Sequence, residues 1–249
     1  MMGFKKRRSV GAAVAALTLL LSCSLPLFCP AVPHFVPADS PAEGVTTAPQ
    51  KLIALTFDDG PRRATTTLLL DGLAERGVPA TFFLVGSMCG GNEDVIRRMD
   101  NEGHQVGIHT FDHVKLTGLS QPDFAAQVDR TRLLLTGILG HNDFLLRPPF
   151  GMVDAGVREH AGAPIILWSV DPEDWGNRNV PREVDCICKK ARDGSIILMH
   201  DIFYESVEAA LQVVDALHRQ GYIFVTVGDL LAARHVTPQK GTTYWNGYP

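Results

Sequence analysis

Between residues 51 and 233 the sequence alternates short apolar runs with helical stretches, and this alternation limits the fold more than any other feature. Gly, Pro or a charged turn stops most of these runs, as is typical of buried strands. We interpret seven of the runs as strands, at 51–57, 80–85, 105–108, 144–147, 165–170, 195–199 and 223–225. Strands that alternate with helices pair in parallel. The pattern therefore predicts an α/β fold, either doubly wound or closed as a barrel.

The N-terminal end of the chain has a different pattern. A basic run at residues 5–8 precedes the apolar stretch 10–21, which is the layout of a secretory signal peptide. The apolar character continues to Phe28, close to the length of a membrane span, so a retained anchor is an alternative. Lipid attachment at Cys23 is a third. All three alternatives predict that the rest of the chain lies outside the cytoplasm.

Composition narrows the class of partner. The 249 residues carry 23 Lys and Arg against 27 Asp and Glu, a formal net charge of −4. Without the four cations of residues 5–8 the balance is 19 against 27, or −8. Nucleic-acid binders need a basic surface, so we expect no nucleic-acid partner. The expected organisation is a signal peptide or N-terminal membrane anchor at 1–28, a Pro-rich linker at 29–50, one domain at 51–233 and a loosely ordered C-terminal tail at 234–249.

Reactive side chains follow five of the seven predicted strands, always at the carboxyl end. They are Asp58 and Asp59, His109 and His113, Arg147, Asp171 and Asp174, and His200 and Asp201. In parallel α/β folds the carboxyl ends of the strands form the rim on which active sites are built. The distribution therefore predicts one site that draws on most of the chain.

The types of these residues indicate metal-assisted hydrolysis. His109 and His113 together with one carboxylate of the Asp58-Asp59 pair make three protein ligands, the pattern of a catalytic divalent-metal site. Imidazole and carboxylate ligands suit zinc, with cobalt, nickel or iron as alternatives. The second carboxylate can then take a proton from water, and Arg147 can hold it ionised. His200 can donate a proton to a leaving group, with Asp171 or Asp174 sustaining its charge.

Five short motifs also resemble those of a known family. They are Thr56-Phe-Asp-Asp-Gly60, His109-Thr-Phe-Asp-His113, Arg147-Pro-Pro-Phe-Gly151, Asp171-Pro-Glu-Asp-Trp175 and Ile197-Leu-Met-His200. In this order and spacing they resemble the five motifs of the polysaccharide deacetylases, carbohydrate esterase family 4, which share the NodB-homology domain. The resemblance covers residues 51–231. It departs from the family pattern at Phe150, where the third motif usually has Tyr.

The resemblance implies a fold and a role for each site residue. The fold is a distorted (β/α)7 barrel that forms a single catalytic domain, here 51–233. The implied catalytic residues are Asp58 as base, Arg147 as its support, His200 as general acid and Asp174 as the partner of that acid. The implied metal ligands are Asp59, His109 and His113. The implied substrate-binding residues are Phe150, through its backbone N–H, and Trp175 and Leu198, as walls around the acetyl methyl group.

The resemblance also implies a function. We expect a hydrolase of carbon–nitrogen bonds in linear amides that removes N-acetyl groups from GlcNAc- or MurNAc-containing polysaccharide, either peptidoglycan or a chitin-like polymer. Water would be activated by the metal, zinc before cobalt or nickel, and by Asp58. The alternatives are an O-acetyl xylan esterase of the same chemistry and a catalytically silent glycan-binding surface protein. The expected partner is the acetylated polysaccharide substrate. We expect the protein to be a monomer that is secreted or attached to the membrane by its N-terminus.

Overall fold

The computed structural model describes residues 50–248. The expected signal peptide or anchor at 1–28, the lipid site at Cys23 and all but the last residue of the linker at 29–50 lie outside these residues. The strands are β1 (Lys51–Asp58), β2 (Thr81–Leu84), β3 (Gln105–Ile108), β4 (Ile165–Ile166), β5 (Ile196–His200), β6 (Tyr222–Phe224) and β7 (Thr243–Tyr244). The helices are α1 (Arg63–Arg76), α2 (Glu93–Asn101), α3 (Gln121–Leu139), α4 (Ala155–His160), α5 (Asp174–Asn177), α6 (Val180–Lys190), α7 (Tyr204–Arg219) and α8 (Val227–Ala233). None of these helices is both long and apolar enough to cross a membrane.

The strands close into a barrel. β3, β2, β1 and β5 form a parallel sheet in that order, and β6 pairs with the first residues of β1. Single bridges complete the ring, because Leu146 pairs with both Ile108 and Ile165, and Val170 pairs with Ile197. The prediction of an α/β barrel is therefore confirmed, with the pairing reduced to isolated bridges at Leu146 and Val170.

Alternation along the strands divides the core in two. Leu52 and Ala54 of β1 pack in one buried cluster with Phe83 and residues from the inner side of β4 and β5. Ile53, Leu55 and Phe57 pack in a second, larger cluster with apolar residues of the surrounding helices. Since successive side chains of a strand point to opposite faces, Asp58 falls on the inner face at the rim.

The pairing of β1 with β5 brings two distant parts of the chain into register. Asp58 and His200 are paired residues of these parallel strands. Paired residues of neighbouring strands point to the same face, and the strands lie about 4.8 Å apart. The ladder thus brings the predicted base and the predicted acid to the same level of the barrel.

Two expectations about the strands are wrong. Residues 144–147 form no continuous strand and pair only through Leu146, because the following Pro148 and Pro149 have no N–H to extend a ladder. The expected strand 165–170 is continuous only at Ile165–Ile166 and rejoins the barrel at Val170.

The expectation of a loosely ordered tail is also wrong for the residues described. Within 234–248, β7 pairs in parallel with β4, and the ring of Tyr244 is buried in the inner cluster. The hydroxyl of Tyr248 donates to Asp193 near the start of β5. A two-residue strand is too short to leave a periodic pattern in the sequence, so only the three-dimensional contacts identify it.

Candidate active site

Three predicted metal ligands meet at the rim of the barrel. Asp59 Oδ1 lies 3.4 Å from His109 Nε2 and 3.2 Å from His113 Nε2. Nδ1 of His109 is 2.7 Å from the carbonyl oxygen of Arg147 and donates to it, which leaves the Nε2 lone pair facing Asp59. Asp59 Oδ1 is buried and has no hydrogen-bond partner within residues 50–248. Electron-rich atoms that converge in this way fit a divalent cation.

Protonation in this cluster also suits metal binding. Burial by itself raises the pKa of Asp59, but the nearby imidazoles of His109, His200 and His113 outweigh it and lower the pKa below its usual value. Burial lowers the pKa of His113. An ionised carboxylate and a neutral imidazole are the forms that bind a metal.

The backbone that carries these ligands is strained. Asp59, Thr110 and His113 have φ of 74°, 66° and 54°, in the left-handed region that favours glycine. Such conformations cost on the order of 1–3 kcal/mol each and persist where the surroundings hold them in place. Strained residues of this kind cluster at functional sites, which is consistent with the predicted role of the ligand cluster.

A fully buried arginine holds the other carboxylate of the first motif. Arg147 Nη1 donates to Asp58 Oδ1 at 2.8 Å and to Thr56 Oγ1 at 2.7 Å. Its remaining nitrogens donate to the carbonyls of Ile166 and Leu167, and its guanidinium lies 4.1 Å from the centre of the Phe83 ring. Burial lowers the pKa of Arg147, and the Asp58 carboxylate opposes that effect. Asp58 is thereby fixed in one orientation beside a cation.

A second pair consists of His200, at the end of the neighbouring strand β5, and Asp174, at the start of α5. Nδ1 of His200 is 2.8 Å from Asp174 Oδ1, and the backbone N–H of His200 donates to Asp174 Oδ2 at 2.8 Å. Burial lowers the pKa of His200, but the hydrogen bond and charge of Asp174, together with the charges of Asp58 and Asp59, raise it to about 9. Asp171 accepts from the Glu173 backbone instead. Of the two carboxylates that the sequence left open, Asp174 is therefore the one that contacts His200.

The three predicted substrate-binding residues border the same rim. Phe150 has φ of 62°, is 63% exposed and sets its ring edge-on to His113, with centroids 5.0 Å apart. Trp175 is exposed in the first turn of α5. Leu198 is buried in β5, two residues before His200, and so shares its face of the strand.

Two residues of the site were given no role by the sequence analysis. Thr56 accepts from Arg147 and donates to the carbonyl of Ile197 at 2.6 Å, which joins β1 to β5. Asp201 is buried against the turn that follows Asp59, and burial raises its pKa to about 7. For Asp201, the only signal in the sequence was its position directly after His200. The roles of Thr56 and Asp201 were not predicted because their contacts join segments far apart in the chain.

Comparisons with known proteins agree with the motifs and with the fold. The family model described as polysaccharide deacetylase matches residues 46–163. The chain is 41% identical over 190 residues to a peptidoglycan-N-acetylmuramic acid deacetylase of Bacillus subtilis, PdaC, covering 76% of this chain and 41% of PdaC. A solved structure of PdaC superimposes with a TM-score of 0.73, covering 75% of this chain and 93% of that one. Because the alignment covers 41% of the full-length PdaC sequence, this chain spans less than half of that protein.

Two further proteins are similar to this chain over nearly their whole length. A peptidoglycan-N-acetylglucosamine deacetylase of Bacillus cereus is 34% identical over 195 residues, which are 75% of this chain and 91% of the relative. A family 4 acetyl xylan esterase of Clostridium thermocellum, solved with a cobalt ion, is 28% identical with a TM-score of 0.75, covering 79% of this chain and 98% of that one. Since sequence, fold and metal-ligand geometry all agree, the chain belongs to the polysaccharide deacetylase family, carbohydrate esterase family 4.

Proposed function

We propose that this protein is a metal-dependent hydrolase that removes N-acetyl groups from GlcNAc- or MurNAc-containing polysaccharide, peptidoglycan before chitin. The observation that carries the proposal is the meeting on one rim of three groups: the Asp59, His109 and His113 cluster, the Arg147–Asp58 pair and the Asp174–His200 pair. A metal, a base and a separate acid are the groups that metal-assisted amide hydrolysis uses. The names of the bacterial relatives support the choice of substrate.

Asp59, His109 and His113 would hold the metal. Zinc suits this donor set best, with cobalt or nickel as alternatives. When bound, a divalent cation supplies Lewis acidity that polarises a carbonyl and makes water easier to deprotonate. The hydrogen bond from His109 Nδ1 to the Arg147 carbonyl fixes the ring for this purpose.

The two paired groups would move the protons. Asp58, oriented by its hydrogen bond from Arg147, accepts a proton from the water that attacks the acetyl carbon. His200, kept protonated by Asp174, donates a proton to the amide nitrogen as the carbon–nitrogen bond breaks. One carbon–oxygen bond forms and one carbon–nitrogen bond is lost, so the products are acetate and a free amine on the sugar.

The rim residues would bind the acetyl group. The backbone N–H of Phe150 would donate to the carbonyl oxygen as negative charge develops on it. Trp175 and Leu198 would enclose the methyl group, which contributes apolar contact and excludes water. Phe150 lacks the hydroxyl of the usual Tyr and would present an apolar ring to the sugar. Its backbone N–H is unaffected by this change.

The proposal extends to location and organisation. We propose that the protein works outside the cytoplasm as a monomer, secreted or attached to the membrane through residues 1–28. Peptidoglycan, the substrate named for two of the relatives, is a cell-wall polymer, which supports this location. The catalytic domain would begin at residue 51, after a linker at 29–50.

The test is product analysis. Zinc-loaded protein is incubated separately with N-acetylglucosamine oligomers, peptidoglycan and acetylated xylan, and the products are identified by mass spectrometry. We expect acetate and a sugar one acetyl group lighter from the first two substrates, with Asp58→Asn as the inactive control. Release from xylan alone would instead favour the esterase, which the likeness to the acetyl xylan esterase supports. Glycan binding with no acetate from any substrate would overturn the proposal.

A further inference from the structure

We propose that Asp201 is a positioning residue that fixes the turn carrying Asp59 and Gly60, directly after β1, against the strand that carries His200. The inference rests on the proposed function. Asp201 follows the end of β5 directly and is 1% exposed. Its carboxylate lies against Gly60, the residue after the predicted metal ligand. It is not among the clustered ligand atoms, so it would act through the turn and not on the substrate.

The packing of Asp201 on Gly60 leaves no free space. A Cβ built on Gly60 would overlap both carboxylate oxygens of Asp201. Gly60 does not have a left-handed backbone, since it is absent from the residues with positive φ. Glycine is therefore required here by the close approach of the carboxylate. The Asp201 side chain occupies the space that a side chain at position 60 would need.

A chain of hydrogen bonds connects Asp201 to the start of α1. The hydroxyl of Thr66 donates to Asp201 Oδ2, and the backbone N–H of Arg62 donates to Thr66 Oγ1 at 2.9 Å. Nη1 of Arg62 in turn donates to the carbonyl of Ile202 at 2.7 Å. Two residues that follow Gly60, Arg62 and Thr66, are thus joined to Asp201 and to the residue directly after it.

The turn needs such support because of its own conformation. Asp59 has φ of 74° and carries a ligand oxygen that lies between two imidazoles. A strained residue keeps its conformation only when its surroundings hold it. A fully buried carboxylate is itself costly, and Asp201 Oδ1 has no hydrogen-bond partner in the described part of the chain. We infer that this cost is tolerated because the carboxylate sets the ligand geometry.

The experiment measures metal affinity directly. Zinc dissociation constants are measured by competition with a chromophoric chelator for the wild type, Asp201→Ala, Asp201→Asn and Thr66→Val, together with cobalt absorption spectra and thermal midpoints. Loss of a residue that orients a ligand typically weakens metal binding about 10- to 100-fold. We expect a loss of at least about 10-fold in Asp201→Ala, a smaller loss in Thr66→Val, and recovery in Asp201→Asn, which still accepts from Thr66.

Asp193→Ala provides the matched control. Asp193 also accepts hydrogen bonds from backbone and side chain, through the N–H of Leu52 and the Tyr248 hydroxyl, but at the opposite end of β1. Its loss is expected to lower the thermal midpoint while zinc affinity and the cobalt spectrum stay unchanged. Wild-type affinity and spectrum in folded Asp201→Ala and Thr66→Val would overturn the positioning role. A wild type that binds no zinc would contradict the proposed function itself, which keeps the two failures distinguishable.

Discussion

At the scale of single residues, the two adjacent carboxylates of β1 and its following turn have different surroundings. Asp58 is paired with a buried guanidinium, whereas Asp59 lies between two imidazoles. Groups of one chemical type take different roles when their environments differ in this way. Residue types and spacing predicted that both carboxylates belong to the rim but not which one faces the histidines, because that depends on the backbone conformation at Asp59. Only the family resemblance implied Asp59.

Asp58→Asn tests the role of the base. Loss of a general base typically lowers the rate about 10²- to 10⁴-fold, and we expect kcat to fall in that range. Zinc affinity should stay close to that of the wild type, because the three ligand side chains are unchanged. Acetate release and zinc competition measure the two quantities. His113→Ala is the matched control and should lose both activity and zinc. A kcat near the wild-type value in Asp58→Asn would contradict the role.

Asp174→Asn tests the acid through the pH profile. The pKa of His200 is raised to about 9, so its proton is present below that pH and is lost as pH rises through it. Removing the Asp174 charge lowers this pKa, and the alkaline limb of kcat/KM should move to lower pH. Asp171→Asn should move it much less, because that carboxylate does not contact His200. An unchanged alkaline limb in Asp174→Asn would rule out His200 as the group that loses its proton there.

At the scale of elements, apolar runs bounded by turn residues predicted both ends of β1, β2, β3, β5 and β6 to within one residue. The prediction failed where pairing is reduced to single bridges, at Leu146 and Val170. It also missed β7. In each case the element is defined by its neighbours and not by a local pattern, so a single sequence carries too little information to identify it.

Removal of residues 240–249 tests the contribution of β7. The truncation exposes the surface that Tyr244 covers and removes the Tyr248 contact with Asp193. Burying one large side chain stabilises a protein by about 1.5–3 kcal/mol, so the free energy of unfolding should fall by at least about 2 kcal/mol. Urea denaturation measures it. Tyr248→Phe, which removes only a hydroxyl, should cost less. An unchanged urea midpoint would contradict the packing role.

At the scale of the whole molecule, the acidic excess of the chain is partly concentrated on one rim. Asp58, Asp59 and Asp174 lie there together, balanced by Arg147 and His200 and, in the proposed function, by a metal. The sequence predicted this assembly because the carboxyl ends of parallel strands meet at one edge. It did not predict the supporting contacts of Thr56 and Asp201, which join segments about 135–141 residues apart.

Zinc should stabilise the whole fold. A ligand that binds only the folded state adds RT ln(1 + [L]/Kd), about 2.7 kcal/mol at 100 times Kd. Thermal unfolding with excess zinc should therefore have a higher midpoint than unfolding with a chelator. The same comparison on His113→Ala should give a much smaller difference. Equal midpoints for the wild type under the two conditions would show that the ligand cluster does not bind zinc.

The register of β1 with β5 determines which parts of the sequence can vary without separating the base from the acid. Asp58 and His200 are neighbours in a hydrogen-bonded ladder, so the separation of base and acid depends on strand pairing and not on any loop. Loops on the rim can therefore lengthen, shorten or exchange residues, and admit different acetylated polymers, without altering that separation. A one-residue insertion within either strand would instead turn one of the two side chains to the opposite face and separate the pair. Engineering of substrate range should accordingly vary the rim loops and keep both strands intact.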